Sequence, residues 1–270
     1  MEAKYEFGFI GTGHMGGALL RGIAQTVPAD EIILSDGIPS KAQFFADELD
    51  CETGTNDDAA QAKYIVLGVK PQMLRDMLKG IYPTLSARQD RYVLISMAAG
   101  VSMDTIRSML GLDCPVIRIM HNTAAEVGQA VIMLAHDSRV QTDEAEYVKK
   151  VLSRCGMVDE VPEHLIDAGS AVSGCGPAFV YMMIEALSDG AVACGLPRDK
   201  AMTYAAQTLK GAAILYMESG KHPGTLKDDV CSPAGSTIQG VRVLEERGMR
   251  GACIDAVIAA YEKTKELGKG

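Results

Sequence analysis

Tryptophan is absent, and aromatic residues make up only 5% of the 270 positions. That scarcity, beside 28 glycines, suits a helix-rich α/β protein with tight turns better than a β-sandwich. No two cysteines stand at CxxC spacing, and the seven are scattered and odd in number. A disulfide framework or a thiolate zinc site is therefore not expected. The five histidines show no HxxxH spacing, so no metal is expected either. Positive charge is also short, with a formal net charge of −9. That excludes a broad nucleic-acid footprint, which needs a basic surface. It does not exclude a small anion held at a helix N-terminus. No stretch reaches about 18 uninterrupted apolar residues, the signal for a membrane span. The N-terminal segment lacks a secretory leader pattern. No membrane association is expected, and a reducing cytoplasm is the expected setting.

What is present points to a folded α/β protein. The composition is 47% hydrophobic and 23% charged, which excludes whole-chain disorder. The length suits one large domain or two ordinary ones. Short apolar runs at 7–10, 31–34, 64–67, 92–95 and 116–119 read as strands. Between them, 15–25, 40–49, 72–79 and 102–110 read as helices, with Ser102 as a cap. Alternation of this kind predicts a parallel sheet covered on both faces. Residues 131–134 read as a further strand, 142–154 as a helix and 157–161 as an edge strand. Past Pro162 the period-2 pattern stops. Residues 179–193, 199–217 and 249–267 carry apolar positions at helical spacing. The expected fold class is α/β: an N-terminal Rossmann-type doubly wound sheet over 1–162 and an all-helical domain over 163–270. A helical segment of this size completes its core most readily with a second subunit, so a homodimer or an oligomer of dimers is expected.

Gly11-Thr12-Gly13-His14-Met15-Gly16 fits G-x-G-x-x-G, placed between a strand and a helix. In that context it is a dinucleotide fingerprint. The first glycine permits the turn, the second lets a pyrophosphate approach, and the third lets helix and strand pack. Asp36 lies twenty residues past Gly16, at the end of the second strand. An acid there holds a ribose diol and points to NAD(H). Ser35 and Ser40 offer hydrogen bonds to a 2′-phosphate, and Lys41 offers charge, so this feature leaves the cofactor open. No arginine stands near that turn in sequence. Val69-Lys70-Pro71 and Met97-Ala98-Ala99 follow two further strands, at the sheet edge where ligands of this fold sit.

Two later segments place small and hydroxyl residues before helices: Ser173-Gly174-Cys175-Gly176-Pro177-Ala178-Phe179, and Ser232-Pro233-Ala234-Gly235-Ser236-Thr237-Ile238-Gln239-Gly240. Free backbone amides collect at such starts. The second segment resembles the signature of pyrroline-5-carboxylate reductases. With the glycine motif, V-K-P, A-A-G-V, M-x-N-T and S-G-x-G-P-A-F in the same order, the resemblance covers almost the whole chain. It implies reduction of L-1-pyrroline-5-carboxylate, a cyclic imino acid, to L-proline by NAD(P)H, the last step of proline synthesis. NADP(H) is favoured and NAD(H) is possible. It also implies an active site between the domains. There Thr237 would hydrogen-bond the ring nitrogen, and the amides of Gly235 and Ser236 would hold the carboxylate. Ser232 and Pro233 would shape the turn. Asn56 would join Val69, Lys70, Pro71, Met97, Ala98 and Ala99 around the cofactor.

The chain departs from the family pattern at Met120-His121-Asn122-Thr123-Ala124-Ala125, where two prolines are missing, at Glu126, and at Ala234 in place of a glycine. The loss of prolines predicts a looser loop, with His121 facing solvent as the favoured reading and a proton source near the nicotinamide as the alternative. Two rivals follow: a nucleotide-binding regulator without turnover, and a reductase of a related cyclic imine. A 3-hydroxy-acid dehydrogenase is disfavoured, because residues 179–184 contain no lysine.

Overall fold

A computed structural model describes residues 3–267. The first unit is built on an eight-stranded sheet: β1 (Phe7–Ile10), β2 (Ile32–Ser35), β3 (Glu52–Thr53), β4 (Tyr64–Leu67), β5 (Val93–Ser96), β6 (Val116–Met120), β7 (Ala130–His136) and β8 (Gly156–Glu160). Their order is β3-β2-β1-β4-β5-β6-β7-β8. The chain reverses its direction of travel between β1 and β4. That leaves a crevice at their carboxyl ends, where ligands of open α/β sheets bind.

Pairings are parallel from β3 to β6 and between β7 and β8, while β6 and β7 pair antiparallel. The antiparallel pair departs from the all-parallel expectation. A parallel return needs a crossover of about a dozen residues or more, and the link from 121 to 129 is shorter. Central strands β1, β2, β4, β5 and β6 are buried along their whole length, as a sheet covered on both faces requires.

Helices α1 (His14–Ile23), α2 (Pro39–Leu49) and α6 (Thr142–Leu152) pack one face around Phe9, Leu19, Leu34 and Val148. Helices α3 (Asn56–Ala59), α4 (Pro71–Ala87) and α5 (Met103–Leu110) pack the other around Leu67, Leu74, Leu94 and Ile106. Ser102 caps α5, accepting the Thr105 amide at 3.1 Å.

The packing division and the change of sequence pattern do not coincide. Among the described residues, those up to Cys175, with 260–267, form one compact unit, and Gly176–Ala259 form the other. Helix α7 (Glu163–Ser173) lies against β6 and β7, where Ile166 joins Met120 and Met133. Arg118 on β6 is buried and pairs with Asp167 and Glu163 of α7.

The second unit holds α8 (Gly176–Ala193), α9 (Arg198–Ser219), α10 (Pro223–Val230), α11 (Ser236–Glu246) and most of α12 (Met249–Leu267). Helix α8 buries only Ser188, while Tyr181, Met182 and Leu187 stay exposed. Among the described residues, the run Glu163–Ala193 is long and apolar enough to cross a membrane by length and composition. Glycines, serines and Glu185 interrupt its apolar residues, so a count of uninterrupted positions does not reveal it.

Candidate active site

The glycine loop is shaped by contacts that only glycine permits. Gly11 follows β1 with φ +103°, in the left-handed region. A Cβ there would stand 2.7 Å from the Gly68 carbonyl carbon and oxygen at the end of β4. A Cβ on Gly16 would stand 2.4 Å from Gly11 O, so α1 can lie close to the strand only through a glycine. Gly13 differs, because a Cβ there would meet nothing within 4 Å. Gly13 is the N-cap of α1, with no side-chain cap bond and no acidic residue in the first turn. The amides of that turn are left for an anion. A dinucleotide pyrophosphate fits this cradle.

Asp36 is tied to the loop. Its Oδ2 accepts the Thr12 amide at 2.8 Å and the Thr12 hydroxyl at 3.3 Å, and its Oδ1 accepts the Ile38 amide at 2.9 Å. The carboxylate therefore braces the glycine turn. Ser35 is buried, and its hydroxyl donates to Asn56 Oδ1 at 2.7 Å. Its hydroxyl proton is thus committed to Asn56. Asn56 opens α3, capped by Thr55.

Beside the loop lies a cavity of about 450 Å³ lined by Gly13, His14, Arg21, Ser40, Lys41 and Glu126, among others. Sequence proximity does not reveal Arg21, which α1 carries to this cavity. Its guanidinium is held by Glu48 at 2.7 and 2.8 Å and lies over the Phe45 ring. Lys41 has no ion-pair partner among the described residues, which leaves it as the available cation here.

Val69 and Lys70 follow β4, and Pro71 opens α4 with exposed Lys70 as its N-cap. Met97 and Ala99 follow β5 and are partly exposed. Ala98 is buried against the α5 face, so it can offer only its backbone. That agrees with a small residue whose backbone a ligand could approach.

His121 is the largest departure from expectation. It is fully buried rather than solvent-facing. Its Nε2 lies 3.0 Å from Met15 O in the first turn of α1. Burial holds its pKa down at about 4, and the bond to Met15 offsets only part of that. The ring is neutral at pH 7, so it is not an imidazolium proton source. The link after β6 is a 3-10 turn over 123–127, whose Asn122 accepts the Ala124 amide and donates to Ser173 O at the end of α7.

The other predicted residues lie in the second unit. Gly235 is the N-cap of α11, again without a side-chain cap bond or an acidic residue in the first turn. Its amide donates to Ser232 O at 3.0 Å. A Cβ on Gly235 would strike Ser232 Oγ at 2.3 Å. Ala234 holds φ +59°, a left-handed conformation that is strained for any residue with a Cβ. Pro233, Ser236 and Thr237 are exposed around this turn. The arrangement leaves amides and a hydroxyl for a small carboxylate ligand.

Among the described residues no cluster of His, Cys, Asp and Glu could hold a metal ion.

Comparison with known proteins gives matches to two parts of the chain. Residues 163–267 match the family described as "Pyrroline-5-carboxylate reductase dimerisation", and residues 6–100 match "NADP oxidoreductase coenzyme F420-dependent". The pyrroline-5-carboxylate reductase of Methanosarcina acetivorans is 40% identical, over 98% of each chain. That of Pisum sativum is 38% identical, over 99% of this chain and 97% of its own. A solved structure of the Plasmodium falciparum enzyme with NADP bound superposes with a TM-score of 0.87 at 30% identity, covering 99% of this chain and 100% of its own.

Proposed function

This chain belongs to the pyrroline-5-carboxylate reductase family, and on that premise we propose what each group of residues does in the reaction. The protein is an NAD(P)H-dependent oxidoreductase that reduces L-1-pyrroline-5-carboxylate to L-proline in proline biosynthesis. The observation that carries this is full-length membership joined to a glycine loop with open amides.

When bound, a nicotinamide would supply a hydride for the imine carbon. The C=N π pair moves to the ring nitrogen, which takes a proton from solvent. Amides of Gly235 and Ser236, at the start of α11, hold the substrate carboxylate, and Ser232 with Pro233 fixes the turn. The Thr237 hydroxyl donates to the ring nitrogen as its lone pair forms. This is orientation and electrostatic stabilisation, with no covalent intermediate. Asn56, Val69, Lys70, Pro71, Met97 and Ala99 line the cofactor.

NADPH is the preferred reductant on this reading. Asp36 is occupied by the Thr12 amide and hydroxyl, while Ser40 and the unpaired Lys41 stand in the adjacent cavity. Turnover should be faster with NADPH than with NADH. Lys41→Ala should lower kcat/KM for NADPH by about tenfold, the scale of one charge-assisted phosphate contact. It should leave NADH unchanged, and equal losses with both reductants would contradict the role.

The exposed apolar face of α8 and α9, including Tyr181, Met182, Tyr204 and Met217, is covered by a second copy in this proposal. A surface of this kind marks an interface. Light scattering should give at least twice 28.7 kDa, and a monomeric mass would contradict it. The cytoplasm is the proposed compartment, since all seven cysteines are free thiols.

A further inference from the structure

We infer that His121 is a positioning residue for the dinucleotide, its buried ring clamping the first turn of α1 from the link between β6 and β7. The inference rests on reading the loop from Gly11 to Gly16 as the pyrophosphate cradle.

The loop is gripped at two points. Asp36 accepts the Thr12 amide on one side at 2.8 Å. His121 Nε2 donates to the Met15 carbonyl on the other at 3.0 Å. Gly13 and His14 lie between the clamps. Gly13 has open space where a side chain would stand, and His14 is exposed. The two residues left to the ligand are thus the two between the anchors.

The bond to Met15 also fixes the tautomer. With Nε2 carrying the proton, Nδ1 presents a lone pair, and it is buried without a partner among the described residues. A buried polar atom without a partner costs stability. An apolar side chain of similar volume would remove that cost, because the Met15 carbonyl still serves its own helix. The histidine is therefore a poor choice for stability alone. Its return is a fixed first turn, whose amides are preorganised for the pyrophosphate before it arrives. His121 and Asn122 together constrain the link between β6 and β7. Asn122 ties the same link to α7 through Ser173 O at 2.9 Å.

The test compares the full-length wild type with His121→Leu and His121→Gln at pH 8. His121→Leu lacks a donor, whereas His121→Gln has an amide that can reach the same carbonyl. NADPH affinity is read by fluorescence titration and stability by thermal melting of the unliganded proteins. His121→Leu should weaken NADPH by about tenfold, the size of one well-placed hydrogen bond, while melting at the wild-type temperature or above. His121→Gln should recover most of the affinity, and KM for pyrroline-5-carboxylate at saturating NADPH should not move. If His121→Leu does not fold, His121→Phe is the second donorless variant and is read in the same way. Wild-type affinity in a folded donorless variant would overturn the inference. So would a loss that follows a fall in melting temperature and is not recovered by His121→Gln. A wild type that binds no nicotinamide dinucleotide would overturn the cradle reading, and this inference with it.

Discussion

Gly11→Ala should abolish measurable NADPH binding and destabilise the protein by about 3 kcal/mol, whereas Gly13→Ala should lose affinity without losing stability. The two glycines stand two residues apart in one motif, and their surroundings separate them. Gly11 holds φ +103°, where an alanine is strained by about 1–2 kcal/mol. Its new methyl would also meet the Gly68 carbonyl carbon and oxygen at 2.7 Å. Both are backbone atoms at the end of β4, so relief requires a shift between β1 and β4, at an overpacking cost of about 1–3 kcal/mol. That shift deforms the crevice proposed for the dinucleotide. Gly13 has φ −66°, which alanine adopts freely, and open space around its Cβ position. Stability should therefore stay within about 0.5 kcal/mol of wild type. The added methyl stands where the pyrophosphate approaches, so NADPH affinity should fall by about tenfold or more. Urea unfolding and NADPH titration of both variants check the pair. Equal stability losses would show that the loop glycines serve packing alone.

The second large effect is expected at Thr237. Thr237→Ala should lower kcat by about 10²–10³-fold, as removal of one preorganised donor does elsewhere. In the proposed mechanism the hydroxyl donates to a nitrogen whose negative character grows only as the hydride arrives. Its loss should therefore fall on kcat more than on substrate KM. Thr237 is exposed in the turn that opens α11, so the variant should fold normally. NADPH affinity should not change. Thr237→Ser keeps the donor and should retain most of the rate. Steady-state kinetics with pyrroline-5-carboxylate reads all three quantities.

Much of the fold is legible because buried parallel strands are short apolar runs bounded by turn residues. The runs at 7–10 and 64–67 coincide with β1 and β4. Ser102 is the cap its position suggests. The illegible parts have identifiable causes. Strand β3 is two exposed polar residues, Glu52 and Thr53, which carry no hydrophobic signal. Helix α4 runs to Ala87, through Gly80 and Pro83, although the pattern suggests an end at 79. Both breakers lie on its exposed side, where water can serve a carbonyl that proline leaves without a donor. Helix α7 belongs to the sheet unit because Gly169 lets it approach Met133 closely and Asp167 pairs with Arg118. Neither partner is near in sequence.

The candidate site divides in the same way. A glycine spacing states its own requirement, so the cradle can be read from the chain. The partners of polar side chains cannot. Asp36 has the position of a ribose-binding acid, yet its oxygens hold the Thr12 amide and hydroxyl. Ser35 has the hydroxyl for a phosphate, yet serves Asn56. His121 lies in a connecting segment, and such segments usually run over the surface. Its burial depends on α1 folding over it, more than a hundred residues away in the chain.

In the proposed mechanism the chain reduces pyrroline-5-carboxylate to proline with Thr237 serving the ring nitrogen. The most direct measurement counts proline formed per NADPH consumed, by chromatography and absorbance together, in wild type and in Thr237→Ala. One proline per NADPH in the wild type, with the rate falling by about 10²-fold or more in the variant, is the result this account predicts. NADPH loss without proline, or equal rates in the two proteins, would contradict it.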